Sequence, residues 1–167
     1  MTFEEEKQLF YRKVVEAIGG WNGVELHLGI FFAVLLTGEV EKKIDPVVSR
    51  IYCAIQNFRS KLQVVDTVAE QILKDELLKQ WKNIEKHIGK RASKRNSIIH
   101  GNFYEAEPHP SGKRIWIAPP ALMQEPYYVP IFIHDLETAQ SEFRSLSREI
   151  SELIDGYQSL VRTQRSP

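Results

Sequence analysis

From Leu136 onward the apolar residues Leu136, Ala139, Phe143, Leu146, Ile150, Leu153, Tyr157 and Leu160 step 3-4-3-4-3-4-3 along the chain. A repeat averaging 3.5 residues holds one narrow apolar seam on one side of an α-helix for about seven turns, and that seam is stable only when buried against another helix. Asp135, just ahead of the run, is the expected N-cap. The rest of the chain must therefore supply helical partners.

It offers several. Thr2 followed three residues later by Glu5 has the form of a capping box, and Phe10, Val14 and Ile18 then keep helical spacing until Gly19-Gly20, where the first helix is predicted to end. Asn22 is positioned to cap a second helix ending near Gly38 and carrying the apolar run "VELHLGIFFAVLL". Asp45-Pro46 signals a third start, after which Val47, Ile51, Ala54, Phe58, Leu62, Val65, Ala69 and Ile72 form one stripe, predicting a single long helix. A fourth begins near Asp75 with Leu77, Trp81, Ile84, Ile88 and Ala92. Single-striped helices of similar length bury their stripes most economically against one another, so the expected fold is all-α, an up-and-down bundle in a single domain spanning 1–167.

Residues 102–134 break the pattern. They hold six of the eight prolines and two β-favouring runs, "RIWIA" and "YVPIFI", both read as strands. Over thirty residues is too long for an ordinary helix connection, so a small strand-containing insertion is expected before the last helix, either functional or a packed cover.

Composition narrows the function classes. The 22 basic and 22 acidic residues balance, so attraction to a polyanion must come from a local patch. The lone Cys53 cannot form an internal disulfide, sits among Ile51, Ala54 and Ile55, and is read as a small core residue in a reducing, cytoplasmic setting. The acidic start "MTFEEEKQLF" lacks the basic opening of a secretory signal. The thirteen-residue apolar run contains Glu25 and His27 and is shorter than the roughly 20 residues of a membrane span, so no membrane is expected. No glycine-rich phosphate loop, G-x-S-x-G or H-E-x-x-H is present. Glu25 and His27, two apart, do not share a helix face, His87 beside Glu85 reads as exposed, and His109 and His134 lack metal-ligand spacing, so neither metal nor cofactor is expected.

The informative stretch is "RNSIIHG", residues 95–101. Helical steps from Trp81, Ile84, Ile88 and Ala92 land on Arg95 and then Ile99, so a cation occupies a place where the pattern asks for an apolar side chain. At about 100° per residue, Asn96 lies about 100° and His100 about 140° round from Arg95, so the three can address one face. A guanidinium, an amide and an imidazole together suit an anionic ligand such as phosphate. The same residues also suit a plain helix end, with Gly101 as a C′ glycine and His100 interacting with the helix dipole. Lys90, Arg91 and Lys94 likewise suit a solvated face.

"RNSIIHG" resembles the R-x4-H signature of the HEPN domain, as does its setting after a long helix containing "FRSKLQVVD" and within a following helix that has Trp81 near its start. The resemblance covers roughly 1–100 and 135–162. It implies a helical homodimer joined through the motif helices, and for many members metal-independent RNase activity in toxin–antitoxin or antiviral systems, an antitoxin being a further partner of a toxin. Other members bind RNA or nucleotides without cutting, or simply pair. Carried across, it implies Arg95, Asn96 and His100 as catalytic residues, with Arg91 and Lys94 contacting substrate. One toxin subgroup has a tyrosine two residues after the histidine; here Tyr104 comes four after. Cleaving RNA by 2′-OH attack on the adjacent phosphate needs a base, an acid and charge stabilisation. Histidine can take either proton-transfer role near neutral pH. One chain supplies one motif histidine, and a twofold dimer supplies two.

Overall fold

A computed structural model describes residues 2–38, 46–105, 112–118 and 129–165. Of these, 84% are helical, in five helices with one two-stranded sheet, so the fold is an all-α helical bundle with a small strand-containing insertion. The elements are α1 (Phe3–Thr37), α2 (Pro46–Ala54), α3 (Phe58–Ile72), α4 (Asp75–His100), β1 (Asn102–Glu105), β2 (Ile115–Ala118) and α5 (Ile133–Arg165). They fall into two compact units, one of Met1–Asn22 and Gly89–Arg144, the other of Gly23–Ile88 and Ser145–Pro167.

The predicted capping box forms. Thr2 N donates to Glu5 Oε2 at 2.7 Å and Glu5 N donates to Thr2 Oγ1 at 3.2 Å. The predicted break at Gly19-Gly20 does not occur, and Asn22 is an exposed residue inside one continuous helix. Each glycine costs a helix about 1 kcal/mol relative to alanine. Burial of Phe10, Val14, Ala17 and Trp21 around the pair outweighs that cost. Gly20 also serves packing, since a Cβ there would stand 3.3 Å from the Cβ of Phe143, whose ring meets Trp21 edge-on with centroids 5.1 Å apart. The helix does end at Gly38, which adopts the left-handed φ of 77° typical of a terminating glycine.

Thirty-five residues make α1 long enough to cross a membrane, and its most apolar 18-residue window has a mean hydropathy of 1.3. The run Phe31–Leu35 is nevertheless buried inside the protein, with Phe31 packed on Trp81 at 5.0 Å between ring centroids.

The stripe from Val47 to Ile72 belongs to two helices. Asn57 interrupts it as the N-cap of α3, its Oδ1 accepting from Ser60 N at 2.7 Å, because asparagine satisfies a helix start better than it tolerates an interior. Only the α3 half of the stripe is core: Leu62, Val65 and Ala69 are buried, while Val47 and Ile51 are exposed. Cys53 is exposed too, contrary to its expected core place, because α2 buries Tyr52 instead. Pro46 opens α2 as expected; Asp45 lies outside the described residues.

In α5, Leu136, Ala139, Phe143, Leu146, Ile150 and Leu153 are all buried, whereas Leu160 at the far end is exposed. The cap differs from expectation. The helix begins at Ile133, and Asp135 sits inside the first turn, reaching back to accept from Phe132 N at 2.9 Å. That is the returning half of a capping box, and it satisfies the same otherwise unpaired N–H groups.

The insertion supplies β1 and β2, antiparallel, with Asn102 opposite Ala118 and Glu105 opposite Ile115. "RIWIA" is β2. Of "YVPIFI", Tyr128 lies outside the described residues, Ile131 makes a single bridge to Ile117 and Ile133 is already helical, so the described part contributes a bridge in place of the expected strand.

Candidate active site at the end of the fourth helix

The last turns of α4 carry the motif. Ile88 and Ile98 are buried on the core stripe, and Arg95 falls between them, half-buried, with its Nε shut off from solvent. Nη1 of Arg95 donates to Asn96 Oδ1 at 3.0 Å. The amide oxygen is therefore engaged with the guanidinium, and the amide N–H pair is the donor side that Asn96 can turn to an anion. His100 is the last helical residue, exposed, and one turn beyond Asn96 on the same helix face. The structure thus joins Arg95 to Asn96 directly and sets His100 as the solvent-facing end of the group.

The neighbouring cations differ from one another. Arg91 Nε lies 3.7 Å from Glu142 Oε2, so Arg91 is tied to α5 by an ion pair, while Lys94 is half-buried and Lys90 exposed. A guanidinium with one edge closed off from water attracts an anion more strongly than a solvated lysine does.

Gly101 sets the path of the chain beyond the helix. Its φ is not in the left-handed region, so it is not the terminating glycine that the sequence suggests. It is needed for close approach: a Cβ there would collide with Ile117 Cγ2 and stand 2.7 Å from the carbonyl oxygen of Ala118. β2 therefore crosses directly behind the helix end. β1 leaves that point with Phe103 and Tyr104 each 41% exposed.

A second cluster has no signal in local spacing. Glu105, on β1, accepts from Lys7 Nζ at 2.7 Å and from the Tyr11 hydroxyl, and Tyr11 stacks on Phe103 with centroids 5.8 Å apart. The hydrogen bond from Lys7, then that from Tyr11, holds the Glu105 carboxyl below its ordinary range, and the same bonds raise Lys7 and Tyr11. These partners are 98 and 94 residues from Glu105 along the chain. The β-favouring "NFYE" after a glycine is the available sequence signal for the strand itself.

The other histidines have structural surroundings. His27 Nδ1 lies 2.9 Å from both Gly23 O and Ser147 Oγ, His87 faces Glu149 at 3.7 Å and is about one-third exposed, and His134 faces Asp135 at 3.4 Å. His109 lies outside the described residues. Among the described residues no three His, Cys, Asp or Glu side chains are grouped to hold a metal ion. No protein-family model, curated protein or solved structure matches the chain.

Proposed function

We propose that this chain is a HEPN-like, metal-independent endoribonuclease that works as a homodimer, with Arg95, Asn96 and His100 of each copy forming the site. The observation that carries the reading is Arg95, a guanidinium placed on the buried stripe of α4 and bonded to the adjacent Asn96, with an exposed imidazole one turn further on.

In this reading a ribose 2′-oxygen attacks the neighbouring phosphorus. One His100 takes the 2′-OH proton while the His100 of the second copy delivers a proton to the departing 5′-oxygen. The bond from phosphorus to the 5′-oxygen breaks, leaving a cyclic phosphate and a 5′-OH. Arg95 neutralises the charge that gathers on the non-bridging oxygens, and the Asn96 amide holds one of them. Lys94 adds local positive charge to a chain whose total is zero.

Incubation of the purified protein with total RNA, with and without chelator, tests this. Cleavage that survives chelation and leaves cyclic phosphate ends supports it, as does a dimer by light scattering at micromolar concentration. Tight RNA or nucleotide binding without cleavage would identify a binding module on the same fold, and absence of both would end the nucleic-acid reading.

A further inference from the structure

Tyr104 stands on β1 four residues beyond His100, and the strand register sets it directly across from Trp116. The two rings lie face to face, 5.3 Å between centroids and 6° from parallel. Trp116 is 8% exposed and Tyr104 is 41% exposed. The tryptophan therefore stacks on one face of the tyrosine ring, and Tyr104 as a whole stays open to solvent. The ring is fixed from behind: Ile115 and Ile117 of β2 are buried, Ile117 is bridged to Ile131, and the close fit of Gly101 locks β2 to the end of α4.

Cations and a paired carboxylate flank the strand. Lys94, Arg95 and His100 lie on the helix that leads into the strand, and Glu105, the carboxylate of β1, is held by Lys7 and Tyr11 rather than offered unpaired. From His100 to Tyr104 the backbone spans no more than about 14 Å even if fully extended. A rigid aromatic ring carried on backbone this near to the helix end is what single-stranded nucleic acid uses beside phosphate-binding groups, because an unpaired base has a free π-face and a base inside a duplex does not.

We propose that Tyr104 is a stacking platform for an unpaired nucleobase of the RNA strand whose phosphate lies at Arg95 and His100. This rests on the endoribonuclease reading and adds a base contact to its phosphate contacts. The contact tolerates any base, since each has a π-face, so by itself it confers no sequence preference.

The test is fluorescence anisotropy with a labelled single-stranded 2′-O-methyl oligonucleotide, which lacks the attacking hydroxyl and stays intact, against an abasic sugar–phosphate strand of the same length. Tyr104→Ala should bind the base-bearing strand about tenfold more weakly than wild type, within the range for loss of one stacked base, while Tyr104→Phe and Tyr104→Trp bind as wild type. On the abasic strand, wild type and Tyr104→Ala should bind alike. If Tyr104→Ala weakens both strands equally, or neither, the platform is refuted and the endoribonuclease reading stands. Wild-type protein that binds the abasic strand as tightly as the base-bearing one refutes it without any variant, so a failure of Tyr104→Ala to fold leaves the question decidable. Wild-type protein that binds neither strand overturns both readings together.

Discussion

Gly101 and Ile117 approach so closely that a side chain on the glycine would overlap Ile117 Cγ2 and stand 2.5 Å from the carbonyl oxygen of Ser97. Ile117 is fully buried and bridged to Ile131, so it cannot retreat, and the carbonyl belongs to the last turn of α4. Gly101→Ala is therefore expected to destabilise the fold by about 1–3 kcal/mol, the usual cost of overpacking. The denaturant midpoint measures this. A variant as stable as wild type would mean that the ribbon is not held against the helix end as described.

The Glu105 cluster should show itself in pH. Its folded pKa lies below the ordinary 4.5, so its stabilisation is present above that value and is lost as pH falls through the depressed folded pKa. Lys7 and Tyr11 are raised above 10.5 and 10.0, so theirs is present below those values and lost as pH rises through the higher folded ones. The stability difference between wild type and Glu105→Gln should then be flat across neutral pH and shrink at both extremes. A difference independent of pH would count against the cluster. Because these groups are partly exposed, the plateau is expected to be small.

Range along the chain decides how much of this fold is legible in the sequence. The seam from Leu136 to Leu153 and the start of α4 at Asp75 are readable because the periodicity that encodes them is local. Asn57 escapes notice because a three-residue break barely disturbs a stripe of threes and fours, and Gly19-Gly20 misleads because the burial that overrides two glycines is tertiary. At the site, Arg95 stands out against an apolar pattern, whereas its hydrogen bond to Asn96 is not signalled by spacing. Tyr104 does not stand out, because its significance lies in Trp116, twelve residues away across a strand pair.

The exposed thiol of Cys53 gives a direct check on α2. It should react stoichiometrically with a thiol reagent in native protein, and Cys53→Ser should change stability by no more than about 0.5 kcal/mol, as at other surface positions. Protection until the chain is unfolded would show that the face of α2 carrying Cys53 is covered.

The last prediction separates chemistry from helix capping. If His100 transfers protons, His100→Ala should abolish RNA cleavage while lowering stability by no more than the ~1 kcal/mol of a favourable helix-end interaction. Arg95→Ala should also weaken RNA binding and flatten its salt dependence, since one phosphate contact is lost. If the two residues only finish the helix, the same substitutions would lower thermal stability and leave cleavage untouched. Mixing His100→Ala with wild type adds a stoichiometric test. Randomly paired dimers leave mutant subunits joined to wild-type ones, and these hold one histidine where base and acid are both needed. Activity should then fall faster than the fraction of wild-type chain, close to its square. A linear fall would assign each copy its own complete site, and cleavage at the wild-type rate by purified His100→Ala homodimer would remove His100 from the chemistry.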